Sequence, residues 1–245
     1  MKHKPPEEHT GNTSALIELL SRYVSRNKTE KIREVLQWRT RYITLVIEDI
    51  HKPHNAGATL RTCDCLGVQD IHIIENTTPF SINDDVTQGA SKWITLHRHR
   101  NKNTDNTAAC LQALRKNGYR LVAMTPNTGG LAPGDIPLDS KLAFLFGNEE
   151  SGLSRPALQA ADLRVKLPMY GFSQSYNISV SVAVLLSGMI RKLHESNAAW
   201  QLTETEKRDI TLSWYRKIVR RSDLIEKNCL ENTARPQPAG AKPLP

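Results

Sequence analysis

Three short stretches of this 245-residue chain carry polar residues that a folded core does not call for. The run Leu167-Pro168-Met169-Tyr170-Gly171-Phe172-Ser173-Gln174-Ser175-Tyr176-Asn177 leads from a short apolar segment ending in proline, through a glycine turn and a cluster of small polar residues, into a long apolar helix. Ser175 and Asn177 are types that cap helices by accepting a hydrogen bond from a first-turn amide, so capping alone would account for them. In Asn55-Ala56-Gly57-Ala58-Thr59-Leu60-Arg61, an amide side chain stands at a helix start, followed by a nearly bare first turn and then an arginine. Bare first-turn N–H groups let an anion approach closely. A guanidinium just beyond offers a planar fork to a phosphate or a developing oxyanion. Small residues at that point equally serve tight packing. The third stretch, Gly147-Asn148-Glu149-Glu150-Ser151-Gly152, follows directly on an apolar run, where open α/β sheets form ligand crevices. By itself a GxExxG is no more specific than an exposed turn.

The elements that must position these residues alternate in type. Residues 42–48 are β-branched and continuously apolar, a buried strand, and further strands are predicted over 70–75, 93–96, 120–124, 142–146 and 163–167. Helices are predicted over 56–66, closing at Gly67, over 105–117, closing at Gly118, and over 154–161, with Ser154 as cap and a proline just inside. Alternation of helices with nearly continuous apolar strands argues for a mainly parallel sheet covered on both faces, an α/β fold. Outside this region, helical spacing predicts two helices over 14–38 broken near Asn27, one over 178–194, and one over 204–230 broken near Ser222. The stretches 1–12 and 233–245, rich in Pro, Gly, Lys and Ala, read as flexible tails.

The chain carries a formal charge of +8 and 39% hydrophobic residues, which suits a soluble protein with an anionic partner, nucleic acid before membrane. Between Asn12 and Arg41, seven bases, among them Arg33, Arg39 and Arg41, face three acids. Arg216, Lys217, Arg220 and Arg221 form a second cluster, spaced to share one helical side, although both clusters could equally be solvated helix faces. No apolar run is long enough to span a bilayer and the N-terminus has no hydrophobic signal segment, so a cytoplasmic location is expected. The four cysteines form no CxxC pair and read as reduced and structural. His97 and His99 share a strand face but are flanked by Arg98 and Arg100, so no metal is expected.

In order and spacing, the three polar stretches resemble the signature motifs of the SpoU branch of the SPOUT RNA methyltransferases. Residues 46–68 resemble most the TrmH type, the tRNA 2'-O-methyltransferases. The resemblance covers about residues 41–193 and implies an α/β SPOUT domain over 41–197 with a C-terminal trefoil knot, which nothing in the periodicity shows. The flanks then read as basic helical extensions over 13–40 and 198–232.

The resemblance also implies roles. Arg61, Asn55, Glu149, Ser175 and Asn177 would be catalytic. Met124, Thr125, Gly147, Leu167, Met169 and Tyr176 would form a cleft for S-adenosylmethionine. Arg33, Arg39, Arg41, Arg216, Lys217, Arg220 and Arg221 would bind RNA. In the family the arginine matching Arg61 is sometimes cast as the general base, but a guanidinium hardly deprotonates. Positioning of the RNA phosphate and stabilisation of the 2'-alkoxide fit its chemistry better. The implied activity is methylation of a ribose 2'-oxygen in structured RNA, foremost guanosine 18 in the D-loop of tRNA, by a homodimer joined through the helix over 178–190. No membrane or DNA partner is expected. Competing readings are a 2'-O-methyltransferase for rRNA or another tRNA position, and a non-catalytic RNA-binding scaffold, in which a damaged motif would be expected. A nicotinamide-dependent Rossmann enzyme is disfavoured by the absence of its glycine fingerprint.

Overall fold

The apolar runs become six parallel strands. In the computed structural model, which describes residues 7–126 and 129–234 (7–12 and 230–234 as backbone only), the elements follow in order. They are α1 (Glu7–Ser21), α2 (Arg26–Leu36), β1 (Ile43–Glu48), α3 (Pro53–Cys65), β2 (Asp70–Ile74), α4 (Asp84–Thr87), β3 (Thr95–His99), α5 (Asn106–Lys116) and β4 (Tyr119–Met124). β5 (Lys141–Phe146), α6 (Arg155–Ala160), β6 (Leu163–Val165), α7 (Ile178–His194), α8 (Glu204–Ile218) and α9 (Ser222–Ala234) complete them. The chain divides into two compact units, Gln37–Leu202 and the two flanks together.

Within the larger unit the strand order is β3-β2-β1-β5-β4-β6, every pair parallel. All six residues of β1 are buried, as a central strand covered on both faces requires. Successive side chains alternate between faces. Ile43, Leu45 and Ile47, with Leu142, Phe144 and Phe146, meet Leu60 and Cys63 of α3 and Val182, Leu185 and Met189 of α7. Val46, Leu121, Ala143 and Leu145 meet Cys110, Leu111 and Leu114 of α5 and Ala157 of α6. Truncating a fully buried residue such as Leu45 to alanine should cost about 2–5 kcal/mol.

The boundaries move where capping chemistry dictates. α3 starts at Pro53, three residues before the expected start, because proline has the helical φ and lacks an N–H that would be orphaned in the first turn. Asn55 therefore lies inside the first turn. β3 is later than predicted, since residues 90–92 and Trp93 form a tight helical turn first. β6 is shorter, since its ladder with β4 ends at the Met124–Val165 pair.

The smaller unit holds α1, α2, α8 and α9, with α1 packed on α8. The first break falls at residues 22–25, before Asn27. α8 is secured by a capping box in which Thr203 and Glu206 satisfy each other's backbone amides. The expected tails lie outside the described residues at 1–6 and 235–245, whereas 7–12 and 233–234 are helical. Among the described residues no helix is long and apolar enough to cross a membrane.

Candidate active site

The carboxyl ends of β4 and β5 and the segment between β6 and α7 surround a cleft of about 530 Å³. Met124 and Thr125 enter it from the end of β4 and Gly147 from the end of β5. Leu167 and Met169 follow β6, and Tyr176 precedes α7. All six residues expected to form the cofactor cleft thus line one cavity, together with Asn55, Glu149, Ser175 and Asn177. Gly147 is required by the way the loop folds back: a Cβ there would lie 1.9 Å from the Gly152 carbonyl carbon. Asn148 holds that loop, its Oδ1 accepting from the amides of Glu150 at 3.0 Å and Ser151 at 2.7 Å. Gly152 closes it with φ of 71°.

A chain of hydrogen bonds joins the three polar stretches. Asn55 Nδ2 donates to Glu149 Oε1 at 2.6 Å, and the His51 and Lys52 amides donate to the same carboxylate at 3.1 and 3.4 Å. Lys52 is the N-cap of α3 and has no side-chain cap of its own, so Glu149 supplies negative charge where the helix dipole favours it. Asn55 Oδ1 in turn accepts from Asn177 Nδ2 at 3.1 Å. Asn177 Oδ1 accepts from the Ser179 amide at 2.9 Å and caps α7. The orientation of both amides follows from the carboxylate, which only accepts. Burial would raise the Glu149 carboxyl, but hydrogen bonds from Asn55 and the backbone amides outweigh it and hold it below the usual carboxylate range. It is an ionised anchor at neutral pH, not a base tuned to take protons. Capping and linkage coexist at Asn177, so neither reading of that residue displaces the other.

Glu48, which the sequence reading passed over, is a further anchor. It is buried and accepts from Ser154 N–H at 2.9 Å, Ser154 Oγ at 2.8 Å and Thr107 Oγ1 at 2.6 Å. It thereby fixes the far end of the loop that carries Glu149. An acid closing an otherwise apolar strand was the available signal.

Arg61 stands apart. It is exposed, lines a separate cavity with Ala58, Thr62, Cys65, Leu66 and Val86, and forms no hydrogen bond or ion pair among the described residues. Six residues along α3 from Asn55 turn it about 240° and carry it about 9 Å along the axis. Four of the five expected catalytic side chains therefore share the cleft, and Arg61 does not.

The basic residues also divide. Arg33 is exposed on the last turn of α2. Arg39 corrects the expectation of an RNA contact: it is buried, paired with Asp64, and donates to the Val68 carbonyl at 3.2 Å. A basic residue so enclosed serves packing and charge pairing. Arg41 is held by Asp70 at 2.9 Å with its side chain 27% exposed. Arg216 is gripped at two points by Glu226, each at 2.8 Å. Lys217, Arg220 and Arg221 are exposed, but α8 ends at Ile218 and Arg221 has φ of 58°, so the cluster does not share one helical side. On α7 the apolar residues are mostly buried, while Val180 and Val184 remain 44% and 50% exposed.

The model of the SpoU rRNA Methylase family matches residues 42–187. A tRNA (guanosine(18)-2'-O)-methyltransferase of Borreliella burgdorferi is 40% identical over 210 residues, 86% of this chain and 94% of that protein. The enzyme of the same name from Thermus thermophilus is 34% identical over 165 residues, 66% of this chain and 82% of its own. The crystal structure of the A. aeolicus TrmH/SpoU tRNA modifying enzyme superposes with a TM-score of 0.71 at 26% identity, covering 80% of this chain and 98% of that one.

Proposed function

The chain belongs to the SpoU rRNA Methylase family, and from that footing we propose that it methylates a ribose 2'-oxygen of tRNA, at guanosine 18, using S-adenosylmethionine. The observation that carries the proposal is the single cleft in which Glu149, Asn55 and Asn177 are joined by hydrogen bonds. The choice of tRNA and of position 18 rests on the names of the two similar enzymes.

The cleft suits the cofactor. Its volume is in the range of small-molecule sites, and Met124, Phe146 and Leu167 offer apolar contact to a base. Backbone groups at the strand ends can read an adenine edge, and the Glu149 and Glu150 carboxylates favour a positively charged ligand. When bound, S-adenosylmethionine supplies an already activated methyl group, so the protein's task is orientation. Asn55, Glu149 and Asn177 hold the cleft wall, and Ser175 adds a hydroxyl at its rim. Arg61 positions the RNA phosphate and stabilises negative charge growing on the 2'-oxygen.

Because Arg61 lies outside the cleft of its own chain, the working enzyme is read as a homodimer in which a second copy completes the site. The bare Val180–Val184 stripe of α7 and the fully exposed Tyr170 and Phe172 support such a surface. A threaded C-terminal knot is part of the reading. It is supported by β6 pairing with β4 on one side while Leu131, from the loop after β4, exchanges hydrogen bonds with Arg164 and Lys166 on the other. Arg33, Lys217, Arg220 and Arg221 are the cations proposed to meet RNA phosphates, and the cytoplasm is the proposed location.

Incubating the protein with labelled S-adenosylmethionine and separate tRNA and rRNA pools, then mapping the methylated nucleoside, tests the proposal. Label in tRNA as 2'-O-methylguanosine is expected, whereas label confined to rRNA would overturn the substrate assignment.

A further inference from the structure

On the sheet face away from the cleft walls of α3 and α7, three imidazoles and a thiol come together. His72 of β2 pairs in register with His97 of β3, and His99 lies two residues further along the same face. The His72 ring stacks on His97 at 4.5 Å and on His99 at 5.4 Å between centroids. His72 Nδ1 and His99 Nε2 are 3.2 Å apart. Cys110, fully buried on α5, completes a set in which the three ligand atoms of His72, His99 and Cys110 lie within 4.8 Å of one another.

We propose that His72, His99 and Cys110 form a zinc site that ties the edge strand β3 and its neighbour β2 to α5. Two nitrogens bound tetrahedrally at about 2.0–2.1 Å stand about 3.3 Å apart, close to the spacing already present between the rings. Nitrogen and sulfur donors select zinc over the hard cations magnesium and calcium. Three protein ligands leave the fourth position to water, and half-buried His99 on the edge strand gives the ion a way in.

Glu48, which accepts from Thr107 and Ser154, places its negative charge within reach of Cys110. That same Glu48 charge favours a metal ion, and binding would release the thiol proton. Asp70, 3.4 Å from His97 and paired with Arg41, fixes the ring that stacks on His72. The sequence pattern had offered only His97 and His99. The sheet register replaces His97 with His72, and α5 adds the thiol.

The test uses untagged full-length protein, stripped with a chelator and titrated with Zn²⁺ against a chromogenic competitor, then with Co²⁺. One equivalent per chain should bind, and the Co²⁺ form should show tetrahedral absorption with a thiolate-to-metal charge-transfer band. Cys110→Ser should remove that band. Cys110→Ser and His99→Gln should each weaken binding by at least about tenfold, the floor set by the loss of a mere outer-shell partner. His97→Gln should retain the stoichiometry. Absence of a stoichiometric site in the parent protein, a Co²⁺ spectrum without a thiolate band, or unchanged affinity in both His99→Gln and Cys110→Ser would overturn the proposal. His99→Gln, on the edge strand, keeps the test decisive if Cys110→Ser does not fold.

Discussion

The two faces of α3 are built on different principles. Toward the cleft, Asn55 is buried and held at both ends of its amide, donating to Glu149 and accepting from Asn177 before any ligand arrives. Toward the other side, Arg61 is exposed and makes no polar contact among the described residues. The first arrangement is preorganised, so its worth lies in shape and in cofactor affinity. The second leaves a charged fork whose partners must come from outside, as RNA phosphate or a second copy. Binding and chemistry should therefore separate along one helix.

The largest expected effect breaks that separation at Arg61. Arg61→Ala should lower methyl transfer by about 10²–10³-fold, the usual loss for a group that stabilises developing negative charge, with S-adenosylhomocysteine affinity unchanged by calorimetry. Loss of cofactor affinity in this variant would place Arg61 against the cofactor instead of the RNA. Arg61→Lys keeps the charge and loses the fork, so it should stay impaired at every pH. A rate for the lysine variant climbing toward pH 10 would instead identify a general base.

Asn55→Ala comes next, since it strips a partner from both Glu149 and Asn177. A hydrogen bond to a charged group contributes about 1.5–3 kcal/mol, to be read as lost stability in denaturant and as weaker cofactor binding together. Asn177→Ala should cost about 1 kcal/mol as a lost cap. Because Asn55 and Asn177 touch, the double variant should fall short of the sum, and strict additivity would dissolve the proposed chain.

The pH dependence sharpens the same contrast. Glu149 is held below its ordinary range, so its stabilising effect is fully present above the unfolded value of 4.5 and fades as pH falls through the lower folded value. Cofactor affinity should hold down to the ordinary carboxylate value of 4.5 and decline only as pH falls through the lower folded value, and Glu149→Gln should remove that dependence. The smallest effects belong to the surface cations. Arg220→Ala and Arg221→Ala should each reduce the slope of log affinity against log salt by about 0.7–0.9 for every phosphate no longer neutralised. Arg39→Ala should instead lower stability and leave the slope alone, because its guanidinium is enclosed against Asp64.

Much of this was legible in the residues. Continuous apolar runs located five of the six strands closely, and α7 has the bounds its spacing predicted, Ile178–His194. Four of five catalytic candidates and all six cleft residues converge because each follows a strand end or starts a helix, where a parallel sheet gathers its loops. The misses come from distance in sequence. Arg39 sits in a basic stretch and looks solvated until Asp64, 25 residues on, is folded against it. His72 and Cys110 meet only through strand register and helix packing. The end of α8 at Ile218 lies within Arg-Lys-Ile-Val-Arg-Arg, which contains no glycine or proline to announce it. The position of Arg61 was computable from the 100° step of a helix, but only once the helix start was known.

The most direct measurement compares two tRNA transcripts identical except at position 18, one with guanosine and one with 2'-deoxyguanosine, under labelled S-adenosylmethionine. Label should enter the guanosine transcript as 2'-O-methylguanosine 18 and be absent from the deoxy transcript, which lacks the accepting oxygen. Equal labelling of both, or label mapped to another nucleotide, would contradict the account.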